Sequence, residues 1–235
     1  TNADHLEFRQ IFAAWCVFAL LTAACLQLTP AAAQETDDEK TSSELVQEIF
    51  QDAQGNAGLK ARYERLVTNP ISPPDTRSPR ATLESFLVIM QTASELWLEV
   101  RDSYFDGDTF FMTKAQSDQL VLVQSLLEKA ARTFDLSAIP AASRQRASIE
   151  TVLQLQEIFD RIYLPPVEEI PGLAAGAFAL SDSEAQALPA KWIIPGTSLT
   201  IERQREGPRE GEYLFTQGTI NQIDDDYEEV KALPM

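Results

Sequence analysis

The chain has 235 residues, 44% hydrophobic and 23% charged, with a net charge of −17. That apolar share supports a folded chain of one good-sized domain or two small ones. So acidic a body is a poor match for nucleic acid or for an anionic lipid surface. The only histidine, His5, and the only cysteines, Cys16 and Cys25, lie near the start. Beyond residue 33 there is neither, which excludes disulfides, thiol nucleophiles, histidine acid–base work and ordinary zinc sites from that part. Of the common hydrolytic chemistries, only a pair of carboxylates is left.

Residues 11–28, IFAAWCVFALLTAACLQL, carry no charge and are followed by Thr29-Pro30 and Ala31-Ala32-Ala33-Gln34. This pattern predicts a secretory signal peptide over 1–33, cleaved after Ala33. Arg9 is its one basic residue, and Asp4 and Glu7 oppose it. Two alternatives stay open: an uncleaved membrane anchor, and lipidation at Cys25 after Leu21-Thr22-Ala23-Ala24.

Residues 34–77 read as an acidic start, a helix and a proline-rich linker. The acidic, polar run at 34–44 is expected to be mobile. Thr41-Ser42-Ser43-Glu44 fits a capping box, with Leu45, Ile49 and Phe50 at helical spacing behind it. Gly55 and Gly58 predict a break before Leu59, Tyr63 and Leu66 resume the pattern. Residues 69–79 hold four prolines and are the predicted boundary to a main domain over 78–235.

Ser78-Pro79 is a helix start, with Ser as N-cap and Pro at the first helical position. Leu83, Phe86, Leu87, Met90, Leu96, Trp97 and Val100 follow on one broad face. Asp106-Gly107-Asp108 predicts a turn. Thr113 to Gln116 forms a second capping box, opening a helix with Leu120, Val121, Leu126 and Leu127 that is expected to stop at Ala138-Ile139-Pro140. A fourth helix is predicted over 141–163, and loops over 164–190. Leu199, Ile201 and Arg203 then alternate, as do Tyr213 and Phe215, predicting a β-hairpin closed through Gly207-Pro208 and Gly211. Thr219 to Gln222 reads as a third capping box, opening a short last helix with Tyr227 and Val230. The fold class expected is mainly α, a helical domain with a small C-terminal β-hairpin and a short terminal helix.

Few residues suggest chemistry. Asp102, Asp106 and Asp108 resemble a calcium loop, but Tyr104 stands at the third ligand position and Thr113 at the twelfth, so a helix-to-helix turn is the better reading. Asp224-Asp225-Asp226 with Glu228-Glu229 reads as a solvated face suited to the start of a helix. Catalytic, cofactor and metal residues are therefore expected to be none. Trp97, Trp192, Tyr213 and Phe215 form either an aromatic pocket or, as the preferred reading, core packing between hairpin and helices. Arg203, Arg205 and Arg209 stand out in an acidic chain and would pair with local acids or with an acidic patch on a neighbouring subunit.

Taken together these motifs resemble one family. Ser78-Pro79-Arg80-Ala81-Thr82-Leu83-Glu84-Ser85-Phe86, Ala130-Ala131 with Phe134-Asp135-Leu136-Ser137, and Trp192 with Ile194-Pro195-Gly196-Thr197, Ile201 and Arg203 carry the resemblance. So do Gly207, Arg209, Gly211-Glu212-Tyr213-Leu214-Phe215, Thr219, Tyr227, Val230 and Leu233-Pro234. Across 78–234 the chain is similar to the N-terminal extracytoplasmic domain that precedes the pore in some bacterial MscS-like mechanosensitive ion channel proteins. The resemblance implies a non-catalytic structural or regulatory module, exported to the periplasm and tethered to the inner membrane through a following channel segment absent from these 235 residues. No conducting or gating residue carries over. Its implied partners are other subunits of the same channel and lipid headgroups, with no nucleic acid, no small-molecule substrate and no cofactor. Trp192, Arg203, Arg209, Tyr213, Phe215 and Tyr227 are the residues expected to pack the hairpin or form its interface. The alternative is a free-standing exported binding protein or lipoprotein, with a carboxylate-only hydrolase behind both.

Overall fold

A computed structural model describes residues 40–69, 71–107, 111–173, 183 and 187–233. The leader, most of the acidic start, Asp108 of the calcium-like loop and part of the 164–190 loop lie outside them. Six helices, two single 3-10 turns and three short strands follow in order among the described residues. The helices are α1 (Ser42–Gly55), α2 (Ala57–Thr68), α3 (Pro79–Phe105), α4 (Lys114–Ala130), α5 (Ala141–Phe159) and α6 (Gln217–Val230). The strands are β1 (Lys191–Ile193), β2 (Thr200–Arg203) and β3 (Tyr213–Phe215). The architecture is mainly helical, as the sequence predicts.

The predicted starts of three helices are built from their caps. Thr41 and Glu44 exchange backbone and side-chain hydrogen bonds as a capping box, and Thr113 and Gln116 do the same. The Ser78 hydroxyl accepts from the Ala81 N–H, with Pro79 at the first helical position. Every residue from Ala81 to Met90 is buried, so the first turns of α3 are enclosed on all sides and only its later turns have a solvent face. α3 is the axis of the core. Leu45, Ile49, Tyr63 and Leu66 from α1 and α2 join the same apolar cluster as Leu83, Phe86, Leu126, Val152 and Phe159. The proline-rich stretch 71–79 therefore does not separate two cores. It lies along α3, where Ser85 Oγ accepts from the Asp75 N–H and donates to the Asp75 carbonyl.

Three predicted boundaries move. α4 stops at Ala130, not near Ala138, because the Thr133 hydroxyl takes the Ala130 carbonyl at 2.7 Å and Phe134 leaves the helix to bridge Phe215. α5 ends at Phe159, with Asp160 as its C-cap. α6 begins one turn early: its N-cap is Thr216, whose hydroxyl accepts from the Thr219 N–H, and Thr219 lies inside the helix. The acidic run 224–229 thus falls in the second half of α6, and its first turn holds no acid. The dipole explanation fails, since carboxylates there sit toward the negative end.

The hairpin is two of three strands. β1 pairs antiparallel with β2, and β2 with β3, in the order β1-β2-β3. Trp192 faces Ile201, and Ile201 also faces Phe215. Pro195-Gly196 makes the β1–β2 turn: Gly196 has φ +72° and the Thr197 N–H reaches the Ile194 carbonyl at 3.1 Å. That is a type II geometry, which requires a left-handed residue at its third position.

Gly172 is required for a different reason. A Cβ there would lie 2.4 Å from Arg80 Cβ and 2.8 Å from Ser78 Oγ. The Arg80 N–H is held by the Pro171 carbonyl at 3.0 Å, so the start of α3 cannot move aside freely. Gly172→Ala is expected to cost about 1–3 kcal/mol, read as a lowered urea midpoint with unchanged slope.

Candidate functional site

The last sheet and helix are the region on which the sequence places its interface residues. Tyr213 and Phe215 are buried, at 2% and 0% exposure, and belong to the core. Trp192 and Tyr227 are half-buried and pack against its edge. Trp97 does not join them. It is 49% exposed on α3 and lines a separate groove with Met90, Leu120, Leu127 and Leu153, about 420 Å³ in volume. The expected packing of all four aromatics between hairpin and helices is thus corrected: two are core, one borders it, and one lies in a groove between α3, α4 and α5. Arg203 is exposed on β2, opposite Tyr213.

Arg209 turns inward. Its Nε and Nη2 donate to Glu212 Oε2 at 3.0 and 2.6 Å, its Nη2 to the Arg132 carbonyl at 2.7 Å and its Nη1 to the Phe134 carbonyl at 3.3 Å. It ties the β2–β3 connection to the turn after α4, a structural duty rather than an outward-facing one. Glu212 Oε2 also accepts from the Thr76 hydroxyl at 2.8 Å. Burial pushes the Glu212 carboxyl up, but the hydrogen bonds from Arg209 and Thr76 outweigh it and hold it below its ordinary range. Among the described residues Arg205 is paired only with Glu202, at 3.7 Å.

α6 is fastened to the body. The Thr219 hydroxyl accepts from the Thr200 N–H at 2.9 Å and donates to the Thr200 carbonyl at 3.2 Å, both buried. Asp224 accepts from Gln154 on α5 at 2.7 Å, and Asp226 from Ser198 at 2.6 Å. Ile223 is buried beneath them. Part of the acidic face is therefore joined to neighbouring elements.

A buried carboxylate lies between α2 and α3. Glu84, 5% exposed, accepts from the Tyr63 hydroxyl at 2.9 Å and from Arg80 Nε at 2.7 Å, with Arg62 Nη2 at 3.8 Å. Arg62 also meets Asp75 at 3.1 Å, and Asp75 binds Arg77. Burial raises the Asp75 carboxyl, yet Arg77 and Arg62 bring it below its ordinary value. Burial beside Glu84 pushes the Tyr63 hydroxyl far up. Every charge in this group has an opposite charge beside it, an arrangement that holds α2 and the 71–78 stretch on α3. No spacing rule in the sequence points to it, because Tyr63, Asp75 and Glu84 belong to three different segments.

Tyr213 is the opposite case: its buried hydroxyl has no hydrogen-bond partner among the described residues, and burial raises its pKa. An unpaired buried hydroxyl is costly. Tyr213→Phe is expected to raise stability by about 1 kcal/mol, read by thermal unfolding; a loss would show that the hydroxyl has a partner.

Among the described residues, no three His, Cys, Asp or Glu side chains converge as a metal site, and no helix is long and apolar enough to cross a membrane. No protein-family model matches the chain, no curated protein matches it, and no solved structure does.

Proposed function

We propose that the chain is a non-catalytic extracytoplasmic module in the setting the family resemblance implies: the domain before the pore of an MscS-like mechanosensitive channel. The attachment of α6 carries the reading. A segment joined to the end of that helix would move with the core, because Thr200 and Thr219 bind each other in a buried reciprocal pair. That is what a coupling element requires. Among the described residues the one deeply buried carboxylate, Glu84, is committed to Tyr63 and Arg80, which supports a structural rather than an acid–base role.

The experiment is to sequence the gene through the Met235 codon and, where the frame continues into spans of about 20 apolar residues, to record tension-activated currents from the full product. Thr219→Val loosens α6 and is expected to shift the activation tension. An unchanged threshold overturns the coupling role of α6, and an absence of tension-activated current, or a stop codon directly after Met235, overturns the channel setting. The second reading, an exported binding protein, is favoured by the groove around Trp97 and Leu153, whose two large apolar side chains are each 49% exposed.

A further inference from the structure

The middle turns of α3 and α4 leave an open groove of about 420 Å³ between them, bordered by Leu153 of α5. Met90, Ala93, Ser94 and Trp97 line it from α3, at i, i+3, i+4 and i+7. Leu120, Val123, Gln124 and Leu127 repeat that spacing on α4. Each set is one stripe along a helix. Gln116, near the start of α4, donates to the Ser103 hydroxyl, near the end of α3, at 3.1 Å. The two helices therefore run antiparallel, with their stripes side by side, and the trough between them is about 10 Å long, two helical turns. Met90, Ala93 and Val123 are buried and offer little surface. The surface on offer comes from Trp97 and Leu153, each 49% exposed, with half-buried Leu120 and Leu127 and the neutral, exposed Ser94 and Gln124. Two parallel stripes with a gap between them are the seat that another helix fills, its own i, i+3, i+4 and i+7 side chains entering the gap.

No charged side chain lines the groove. Four stand within one helical turn of its lining on the same helix faces: Arg101, Glu128, Glu150 and Glu157. Arg101 is paired with Asp102, and Glu157 with Arg161. Glu128 accepts from the amides of Gln124 and Gln145, at 3.1 and 2.9 Å, and neutral donors leave its charge in place. Glu150 is exposed, with no cation beside it among the described residues. Two uncompensated carboxylates thus flank the opening, on a chain whose net charge is −17. That sign decides among occupants. A second copy of the chain is repelled, as are an anionic lipid surface and a nucleic acid, whereas a cationic partner is drawn in.

We propose that this groove seats an amphipathic helix of a partner protein, apolar on the face it lays down and basic along its flanks. Trp97 is the central anchor, a large side chain already held out at the wall. The inference holds in either setting proposed above, since tension-activated current tests the channel and peptide binding tests the groove.

The test is a titration of the chain with a peptide of about 14 residues, roughly four helical turns, carrying leucines at i, i+3, i+4 and i+7 and lysines elsewhere. Saturable shifts are expected at the Trp97 indole N–H and at the Leu120, Leu127 and Leu153 methyl resonances. Trp97→Ala and Leu153→Ala are each expected to weaken binding about tenfold. Both side chains are half exposed, so both variants are expected to fold, checked by the urea midpoint. Ser94→Lys places a like charge at an exposed point of the wall and is expected to weaken binding about threefold. Shifts that do not saturate, or binding that survives Trp97→Ala and Leu153→Ala together, overturn the site. Equal binding of a peptide with the same residues and a scrambled leucine spacing overturns the helical occupant. Equal binding of the peptide with glutamates in place of its lysines overturns the basic partner. A dimer of the chain alone in sedimentation equilibrium, lost in Trp97→Ala, gives the groove to a second copy and overturns the proposal as well.

Discussion

Phe86→Ala is expected to lower the stability of the protein by about 3–5 kcal/mol. Phe86 is fully buried in the turns of α3 that are enclosed on every side. Its ring meets Phe134, Phe159 and Phe215 edge-on, at centroid distances of 5.9, 5.7 and 5.8 Å. Those three rings come from the turn after α4, from α5 and from β3, so one side chain holds three remote segments together. Removing it leaves a cavity that backbone on three sides cannot collapse to fill, and it forfeits three favourable ring contacts. Phe86→Leu, which keeps most of the volume, is expected to cost less than half as much. Urea unfolding checks both, and a Phe86→Ala loss below about 1 kcal/mol would show that the cluster does not organise the core.

Lys129→Met is the second. Lys129 is 1% exposed, yet among the described residues no carboxylate answers its charge. Its ammonium donates to the Leu66 carbonyl and to the Asn69 carbonyl, the latter at 2.5 Å. The reason lies in the sequence of another segment. The residue four beyond Leu66 is Pro70, which has no N–H to give, whereas the Asn69 carbonyl also accepts from the Ser72 N–H at 3.1 Å. Lys129 supplies the donor missing at Leu66 and places a positive charge at the C-terminal end of α2. Methionine fills the space but leaves the Leu66 carbonyl without its donor, at an expected cost of about 2 kcal/mol. Lysine's own response to pH gives an independent reading. Burial, with Arg132 nearby, lowers its pKa from 10.5. Between the folded and unfolded pKa the unfolded chain binds more protons, so this group's contribution to stability rises with pH. The neutral amine still carries two N–H donors for its two carbonyls. The deficit of Lys129→Met relative to the native chain is therefore expected to widen as pH approaches 10.5, measured by urea unfolding at a series of pH values. A constant deficit would place the effect in packing alone.

These two residues differ in how visible they are before folding. Phe86 sits at helical spacing behind Ser78-Pro79, and its burial can be read from the pattern. The caps at Thr41, Ser78 and Thr113 are equally local, since each acceptor lies three residues from its donor. Lys129 is invisible, because its partners lie about 60 residues away and nothing in a polar side chain's own neighbourhood announces its burial. β1 escapes for another reason: three residues are too few for alternation to be distinguished from loop, and only pairing with β2 defines it. Thr216 and Thr219 show how a local rule can point to the wrong residue. Both satisfy the helix-start pattern, and the choice is made by Thr200, which draws the Thr219 hydroxyl into the core. In the candidate site, the inward turn of Arg209 depends on the carbonyls of residues 132 and 134, which lie about 75 residues away in sequence.

The bridge between Phe134 and Phe215 bears on the order in which the molecule can be made. β3 contributes Phe215 to the central ring cluster, and the Tyr213 N–H closes on the Thr76 carbonyl at 2.7 Å. These contacts join segments that leave the ribosome far apart in time. A nascent chain halted anywhere before residue 213 lacks one wall around Phe86 and exposes apolar surface that the finished protein hides. The helices can form locally as they emerge, but cooperative closure must wait for nearly the last strand to be synthesised.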